Sequence, residues 1–370
     1  MAKHFKLSAL FSLGIPMRLR FVLALLLVCM LFGVSFFSQQ GITSAKQNPQ
    51  KKIDSNNLAV GRFVISERTS VKPTQIKKGD THNVSQQVYR WGEGIRQLGR
   101  ALPQESSPEG PNQVILAGEV KAILDQVNGR VLVSAVNGNS SPKELSLPSG
   151  AVDYISVDES GEVYALDRRP VGGIWRLTET GPEKLFQVND NIHPYFYTIT
   201  DFKVRNQLVY IENKNSYTEE YPLFDDLSPA ERNYPGRISE SYQFSYQLLM
   251  ESQTQGDFSL VKYTLDSLSV WVKRFSLKGI EVKEVMTLQT THDDKVLIVI
   301  RGISNNMGKY RAVCFSEEGK KLKEFDIPYG KNDLMLNNPI SMDPRTGSFI
   351  VFSESEVGIT EQVFNCPFYL

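Results

Sequence analysis

The sequence predicts an all-β protein whose body, residues 113–370, is a β-propeller of about six blades, and three observations predict it. From about residue 113 onward the apolar residues recur with period two, which in a strand puts them on one face of a sheet. One turn signal keeps returning: Asp125 precedes Gly129 in "AILDQVNGRVLVSAV", Asp158 precedes Gly161 in "ISVDESGEVYAL", and Asp343 precedes Gly347 in "ISMDPRTGSFIVFS". "TTHDDKVLIVI" keeps Asp293 and Asp294 without a glycine, "FKVRNQLVYIE" turns at Arg205-Asn206, and "YQFSYQLLMES" is a degenerate sixth copy. An Asp or Asn side chain caps the turn backbone, Gly supplies positive φ, and the strand that follows alternates to bury one face. A second hairpin often follows the first, as in "GGIWRLTETGPEKLFQV", "FSLVKYTLDSLSVWVKRFSL" and "YRAVCFSEEGKKLKEFDIP". Two hairpins make four strands, and repeats of roughly 35–50 residues that each form such a sheet are propeller blades. A β-sandwich of similar length is the structural rival.

The elements before the repeats are of other kinds. Residues 1–20 form a basic head, with Lys3, Lys6, Arg18 and Arg20 and no acid. "FVLALLLVCMLFGVSFF", residues 21–37, carries no charge; as a helix it spans about 26 Å, close to the hydrocarbon thickness. The basic flank lies before it, so the segment reads as a transmembrane signal anchor with the head cytoplasmic and everything after it exported. The alternative is a signal peptide cut after Thr43-Ser44-Ala45, which makes the body secreted. Bulky Val28 precedes Cys29, so Cys29 is no lipid-attachment site. Residues 38–112 read as a polar tether. Within it "LAVGRFVISER" alternates as a strand does, and residues 84–102 place Val84, Val88, Trp91, Ile95, Leu98 and Leu102 at spacings of four and three. That stripe predicts a short amphipathic helix, with Val88, Trp91, Ile95 and Leu98 as a face for its own domain, a dimer partner or a membrane. Gly92, Gly94 and Gly99 each weaken such a helix by about 1 kcal/mol.

Inside the repeat region one stretch departs from the pattern. Residues 213–242 read as an insertion into a propeller loop, in which Tyr217, Tyr221, Phe224 and Tyr234 alternate with acids such as Asp225 and Asp226. "SPAE", residues 228–231, predicts a short helix start. Long loops of this kind are usually functional, and mixed aromatics and acids suit a contact surface for protein or sugar. The same residues read equally well as staples that fix the insertion to the ring. The chain stops where the last blade lacks a strand, and Asn112–Glu119 is a candidate to complete it. Cys314 and Cys366 can pair in an oxidising compartment, or Cys314 can sit as a buried thiol in its apolar strand.

Residues 113–370, with D-x-x-G followed by three apolar positions about once per repeat, resemble the six-bladed propellers of the NHL, TolB-like and related groups. The resemblance covers about two thirds of the chain and lies in structural residues, so it implies an architecture and no activity.

Chemistry-bearing patterns are sparse. The composition, 41% hydrophobic and 22% charged, is that of a globular protein, and Lys and Arg equal Asp and Glu in number. No basic domain offers a nucleic-acid footprint. The four histidines lack partners at zinc-ligand spacing, and no nucleophile elbow, phosphate loop or EF-hand loop is present. No catalytic residue, metal or cofactor is therefore expected. Asn83 and Asn139 match the glycosylation sequon. The expected function is a non-catalytic module of the cell envelope that binds a protein partner or an extracellular ligand. The alternative is a secreted or anchored enzyme acting on a glycan or another extracellular substrate at the channel mouth.

Overall fold

The chain divides into two compact units, Met1–Gly61 and Arg62–Leu370. The computed structural model describes residues 86–101, 109–136, 141–148, 152–167, 172–186, 198–223, 232–304, 307–327 and 338–368, all in the second unit. The basic head, the 21–37 span and most of the tether lie outside the described residues. Among the described residues no helix is long and apolar enough to cross a membrane.

Those residues form six sheets, antiparallel but for one short parallel pair at the edge of the sheet that joins the two ends of the described chain. Two short strands open the structure, β1 (Gln86–Trp91) and β2 (Gln97–Leu98). Blade 1 follows as β3 (Gln113–Ala117), β4 (Val120–Asp125), β5 (Arg130–Ala135) and β6 (Lys143–Ser146). Blade 2 is β7 (Val152–Val157), β8 (Val163–Asp167), β9 (Gly173–Thr178) and β10 (Gly181–Phe186). Blade 3 is β11 (Ile199–Arg205), β12 (Leu208–Asn213), β13 (Tyr217–Pro222) and β14 (Arg232–Pro235). Blade 4 is β15 (Arg237–Ile238), β16 (Phe244–Ser252), β17 (Asp257–Thr264) and β18 (Ser269–Ser276). Blade 5 is β19 (Glu281–Thr290), β20 (Val296–Ser304), β21 (Met307–Phe315) and β22 (Lys321–Ile327). Blade 6 is β23 (Ile340–Met342), β24 (Ser348–Ser355) and β25 (Gly358–Asn365), with β1 as its fourth strand. The fold is a six-bladed β-propeller.

Each seam between neighbouring blades holds its own apolar cluster, which is why one four-stranded sheet cannot stand alone and six can. Ala122, Leu124 and Val131 of blade 1 meet Ile155 and Ala165 of blade 2. Tyr154 and Leu166 meet Phe202 and Ile211 across the next seam. Phe258 and Leu260 meet Ile298 and Phe315 between blades 4 and 5, and Leu297 and Cys314 meet Phe349 and Phe364 between blades 5 and 6. The seam between blades 3 and 4 is thinner, with Tyr210, Tyr234 and Ile238 buried among the described residues. A single residue, Gly236, links those two blades. Its φ is 72°, and a Cβ there would run into the Tyr246 carbonyl.

The last blade does borrow a strand from the N-terminal side, but the donor is β1, not Asn112–Glu119. Gln86 pairs with Gln362 and Arg90 with Gly358, whereas 113–117 is the inner strand of blade 1. A side chain at Gly358 would collide with the Tyr89 carbonyl, so glycine permits this close approach. The amphipathic helix expected over 84–102 is therefore absent: its first half is β1 and its second a turn and β2. The spacing of Val88, Trp91, Ile95 and Leu98 matched a helix, but the three glycines weaken one, and pairing with β25 satisfies the backbone instead. In strand geometry Val88 and Tyr89 face opposite ways; Val88 is exposed and Tyr89 is in the core.

The insertion expected at 213–242 is also corrected. Residues 217–222 and 232–235 are the third and fourth strands of blade 3, and 237–238 begins blade 4. "SPAE" lies in 224–231, outside the described residues. Cys314 and Cys366 form a disulfide with Cα atoms 5.9 Å apart, fastening the end of blade 6 to blade 5.

Candidate functional site

A propeller's inner strands each leave one edge unpaired toward the axis, and those backbone groups need partners. Here side chains from neighbouring blades supply them at every seam. The Ile155 amide donates to Gln113 Oε1 at 2.7 Å, and the Val204 amide to Ser156 Oγ at 2.9 Å. Lys203 Nζ reaches the Ile238 carbonyl at 3.4 Å. Arg237 donates to the Leu288 carbonyl at 2.8 Å, while the Glu240 amide donates to Thr290 Oγ1 at 2.7 Å. Gln289 accepts from the Met342 amide at 2.6 Å and donates to the Ile340 carbonyl at 3.1 Å. The Leu116 amide closes the circle on Ser341 Oγ at 2.8 Å. The channel is thus sewn around its whole circumference.

A cavity of about 110 Å3 lies there, lined among others by Gln113, Lys203, Arg237, Glu240 and Gln289 and by Asp201, Thr287 and Tyr242. That is room for a few ordered waters, against roughly 300–1,000 Å3 for a ligand pocket. Its charges pair with each other. Arg237 binds Glu212, with Nε 3.0 Å from the carboxylate, and lies 3.5 Å from Asp201. Burial alone would lower the guanidinium's pKa, but Asp201 and Glu212 hold it above its ordinary value. Lys203 pairs with Glu240.

At the mouth on the side of the turns joining strands 1 and 2, blade 4 breaks the repeat's turn pattern. Its turn is Ser239-Glu240-Ser241-Tyr242-Gln243, and Tyr242 sits at φ 56°, the left-handed region that Gly161 and Gly347 occupy in blades 2 and 6. The position aims the ring at Arg205, whose guanidinium carbon lies 4.1 Å from the ring centre, and at Tyr210, 5.1 Å away edge to face. Burial, and then the Glu240 carboxylate, hold the Tyr242 phenol well above its ordinary pKa. Arg205 also donates to the Glu240 carbonyl at 2.9 Å and pairs with Glu159. His292 Nδ1 lies 3.3 Å from that same carbonyl oxygen. Behind the turn, Ser241 donates to Asp294, whose carboxyl burial pushes up in pKa against the opposing pull of Ser241 and Lys262. Sequence reasoning recognised this turn as degenerate and stopped there; an aromatic where its siblings place glycine was the available signal.

The residues expected to form a contact surface are spread apart. Tyr217, Glu219 and Tyr221 alternate along β13 on one face, so Tyr221 enters the core shared with blade 2. Tyr234 pairs with Thr218 on the opposite face, where its hydroxyl donates to Glu220 at 2.7 Å. Burial, then that carboxylate, push the Tyr234 phenol up to about 12. Tyr217 is 40% exposed. Phe224, Asp225 and Asp226 lie outside the described residues. Of the expected helix face, Leu98 is buried, Trp91 is half-buried with its indole donating to the Ser355 carbonyl, and Val88 and Ile95 are exposed. Among the described residues no group of three His, Cys, Asp or Glu is placed to hold a metal ion.

No protein-family model and no curated protein matches the sequence. Solved structures similar in shape include Kuenenia stuttgartiensis hydrazine synthase, 12% identical, covering 68% of this chain and 80% of that one at a TM-score of 0.43. A protein of unknown function from Bacteroides thetaiotaomicron is 11% identical, covering 75% of each chain at 0.41. Likenesses at that level carry no functional argument.

Proposed function

We propose that the protein is a membrane-anchored, extracytoplasmic propeller that acts as a non-catalytic binding module of the cell envelope, taking a protein partner or an extracellular ligand on a face of the ring. The observation that carries this reading is the sewn channel. Its polar groups are spent on backbone amides and on each other, and its volume suits water, which leaves the outer faces as the surfaces free to bind. The Cys314–Cys366 disulfide supports export, since such bonds persist in oxidising compartments. The uncharged 21–37 segment behind a basic head supports an anchor oriented with residues after 37 outside.

The enzyme reading draws on one observation. Asp201, Glu240 and Arg237 do converge on the channel, as catalysis at its mouth requires. Their pairing with Arg237 and Lys203 counts against it.

Paired reporters fused after Leu370 test the topology. An export-dependent phosphatase should be active there and a cytosol-dependent fluorescent protein dark. The reverse pattern ends the envelope reading.

A further inference from the structure

Each blade ends in an outermost strand whose far edge carries unpaired backbone groups, an open template for another strand. Most of these edges are blunted. β2 is two residues long, and β6 and β14 are four each, with Pro235 at the end of β14. β10 carries Pro182 with Glu183 and Lys184, and β22 mixes Lys321 and Lys323 with Glu324 and Asp326. β18 of blade 4 is different. Ser-Val-Trp-Val-Lys-Arg-Phe-Ser is eight residues long and holds neither proline nor acid. Val270 and Val272 are 49% and 53% exposed, and Leu268, in the turn just before the strand, is exposed as well.

Among the described residues β17 is the one strand that pairs with β18. One face of β18 is occupied: Trp271 and Phe275 pack toward blade 5, and the Trp271 indole donates to the Glu317 carbonyl at 3.2 Å. Val272, opposite Val261, lies on the other face. The turns at both ends, 265–268 and 277–280, belong to the described residues. Leu223, which precedes 224–231, is buried against blade 2, on the side of blade 3 away from β18.

The hydrogen-bond register shows which backbone groups are open. The Leu277 amide donates to the Gly256 carbonyl at 2.9 Å, in line with the pairing of Ser276 and Asp257. Amides along an antiparallel strand alternate in direction. Phe275, Lys273 and Trp271 therefore turn theirs toward β17, whereas Arg274 and Val272 turn theirs out to the edge. A lipid surface cannot satisfy those groups, and a further strand can.

We infer that β18 pairs antiparallel with β18 of a second copy, joining two rings rim to rim through one continuous sheet. A two-fold between antiparallel strands sets one residue opposite its own copy. Overlap along the whole of Ser269–Ser276 requires that residue to be Val272 or Lys273, the two beside the strand's centre. Lys273 would oppose its own charge. Val272 instead exchanges two backbone hydrogen bonds with its copy, sets Lys273 opposite the Trp271 indole, and carries Arg274 to the Val270 end. The strand's own sequence thus supplies a partner in which no cation faces another, and this commits the edge to a second copy. The inference does not depend on where in the cell the ring resides.

Sedimentation of the purified full-length chain in mild detergent should give twice the chain mass at micromolar concentration. Hydrogen exchange reads the contact directly. The Val272 and Arg274 amides should be protected in the dimer and exchange at least tenfold faster on dilution to the monomer, while Trp271 and Lys273 stay protected throughout. Val272→Pro removes an outward amide that no bond to β17 uses, a place where an edge strand tolerates proline. It should abolish association with the monomer's melting midpoint unchanged. Val272→Lys, which sets like charges at the two-fold, probes the same contact should the proline variant fail to fold. Val357→Lys, on another surface, should leave the dimer intact. A wild-type monomer, with or without bound anionic vesicles, would overturn the inference. So would a dimer indifferent to the Val272 variants, Val272 protection that survives dilution because another segment of the same chain holds the edge, or a different protein bound in stoichiometric amount.

Discussion

Tyr242 holds a backbone conformation that costs an L-residue about 1–2 kcal/mol, at a position where sibling blades place glycine. What offsets that cost is a guanidinium over the ring, an edge-to-face tyrosine, and partial burial, together worth about 2–4 kcal/mol. The ring is therefore fixed at the channel mouth by contacts made in the folded state, against its own backbone preference. This sets an unusual order of stabilities. Tyr242→Ala loses the contacts and keeps the strain, and is expected to destabilise by about 3 kcal/mol; Tyr242→Gly loses the same contacts but relieves the strain, and should be about 1 kcal/mol less damaging. Urea unfolding of the two variants measures the difference. In an ordinary extended position Ala would be the more stable of the two, and that outcome would remove the case for strain at this turn.

Among the elements, β1 and the loop after it show where sequence patterns mislead. Arg130 reaches across from blade 1 and donates to Asp125, to Glu144, and to the carbonyls of Glu93, Gly94 and Gln97 at 2.7–3.0 Å. Asn128 donates to the Gly92 carbonyl, and the Gly99 amide to Asp125. Few of these partners are apolar, so hydrophobic spacing carried no trace of them, and the spacing that remained was read as a helix. Residues 213–242 failed for a related reason. Both faces of blade 3 are buried, one against blade 2 and one against blade 4, so Tyr221 and Tyr234 look alike in sequence though they face opposite ways. Hairpins such as β9–β10 and β21–β22 were legible because glycine-bearing turns mark them in the sequence, although β21 also packs on both faces, with Phe315 toward blade 4 and Cys314 toward blade 6. Blade 1 is a mixed case. Its Asp125–Gly129 turn is real but joins strands 2 and 3, while its first turn is Gly118-Glu119. Arg130→Ala leaves Asp125 buried without its cation and frees the loop, and is expected to cost about 3–5 kcal/mol. Amide exchange at Tyr89, Arg90 and Trp91 should quicken with it. Arg130→Lys should not restore protection, because three donors on one nitrogen cannot serve five spread acceptors. Unchanged exchange in Arg130→Ala would show that β1 holds without the clasp.

At the scale of the whole ring, stability rests on how blade 6 is held, since it alone is assembled from both ends of the described chain. Its seam with blade 1 contains Tyr89, Ile350 and Ile359 and a buried Lys121–Glu361 pair at 2.8 Å, onto which Tyr89 donates at 3.0 Å. These contacts are non-covalent, and a ring closed only by them opens whenever β1 peels away. The Cys314–Cys366 bond acts on the other seam, tying the chain just after β25 to β21, 52 residues earlier. With the bond in place, loss of β1 leaves β23–β25 still attached to blade 5; without it, blade 6 is free at both seams once β1 leaves. Restricting an unfolded loop of that length is worth about 4 kcal/mol in the chain-entropy treatment. Cys314→Ala with Cys366→Ala should therefore unfold at lower urea by that order, and its β1 amides should exchange faster although β1 itself is untouched. Thiol titration gives the companion result: the sequence holds three cysteines, so the denatured, unreduced chain should show one free thiol, Cys29. Three free thiols in protein purified without reductant would mean that the covalent hold is absent, and that packing alone keeps the sixth blade in the ring.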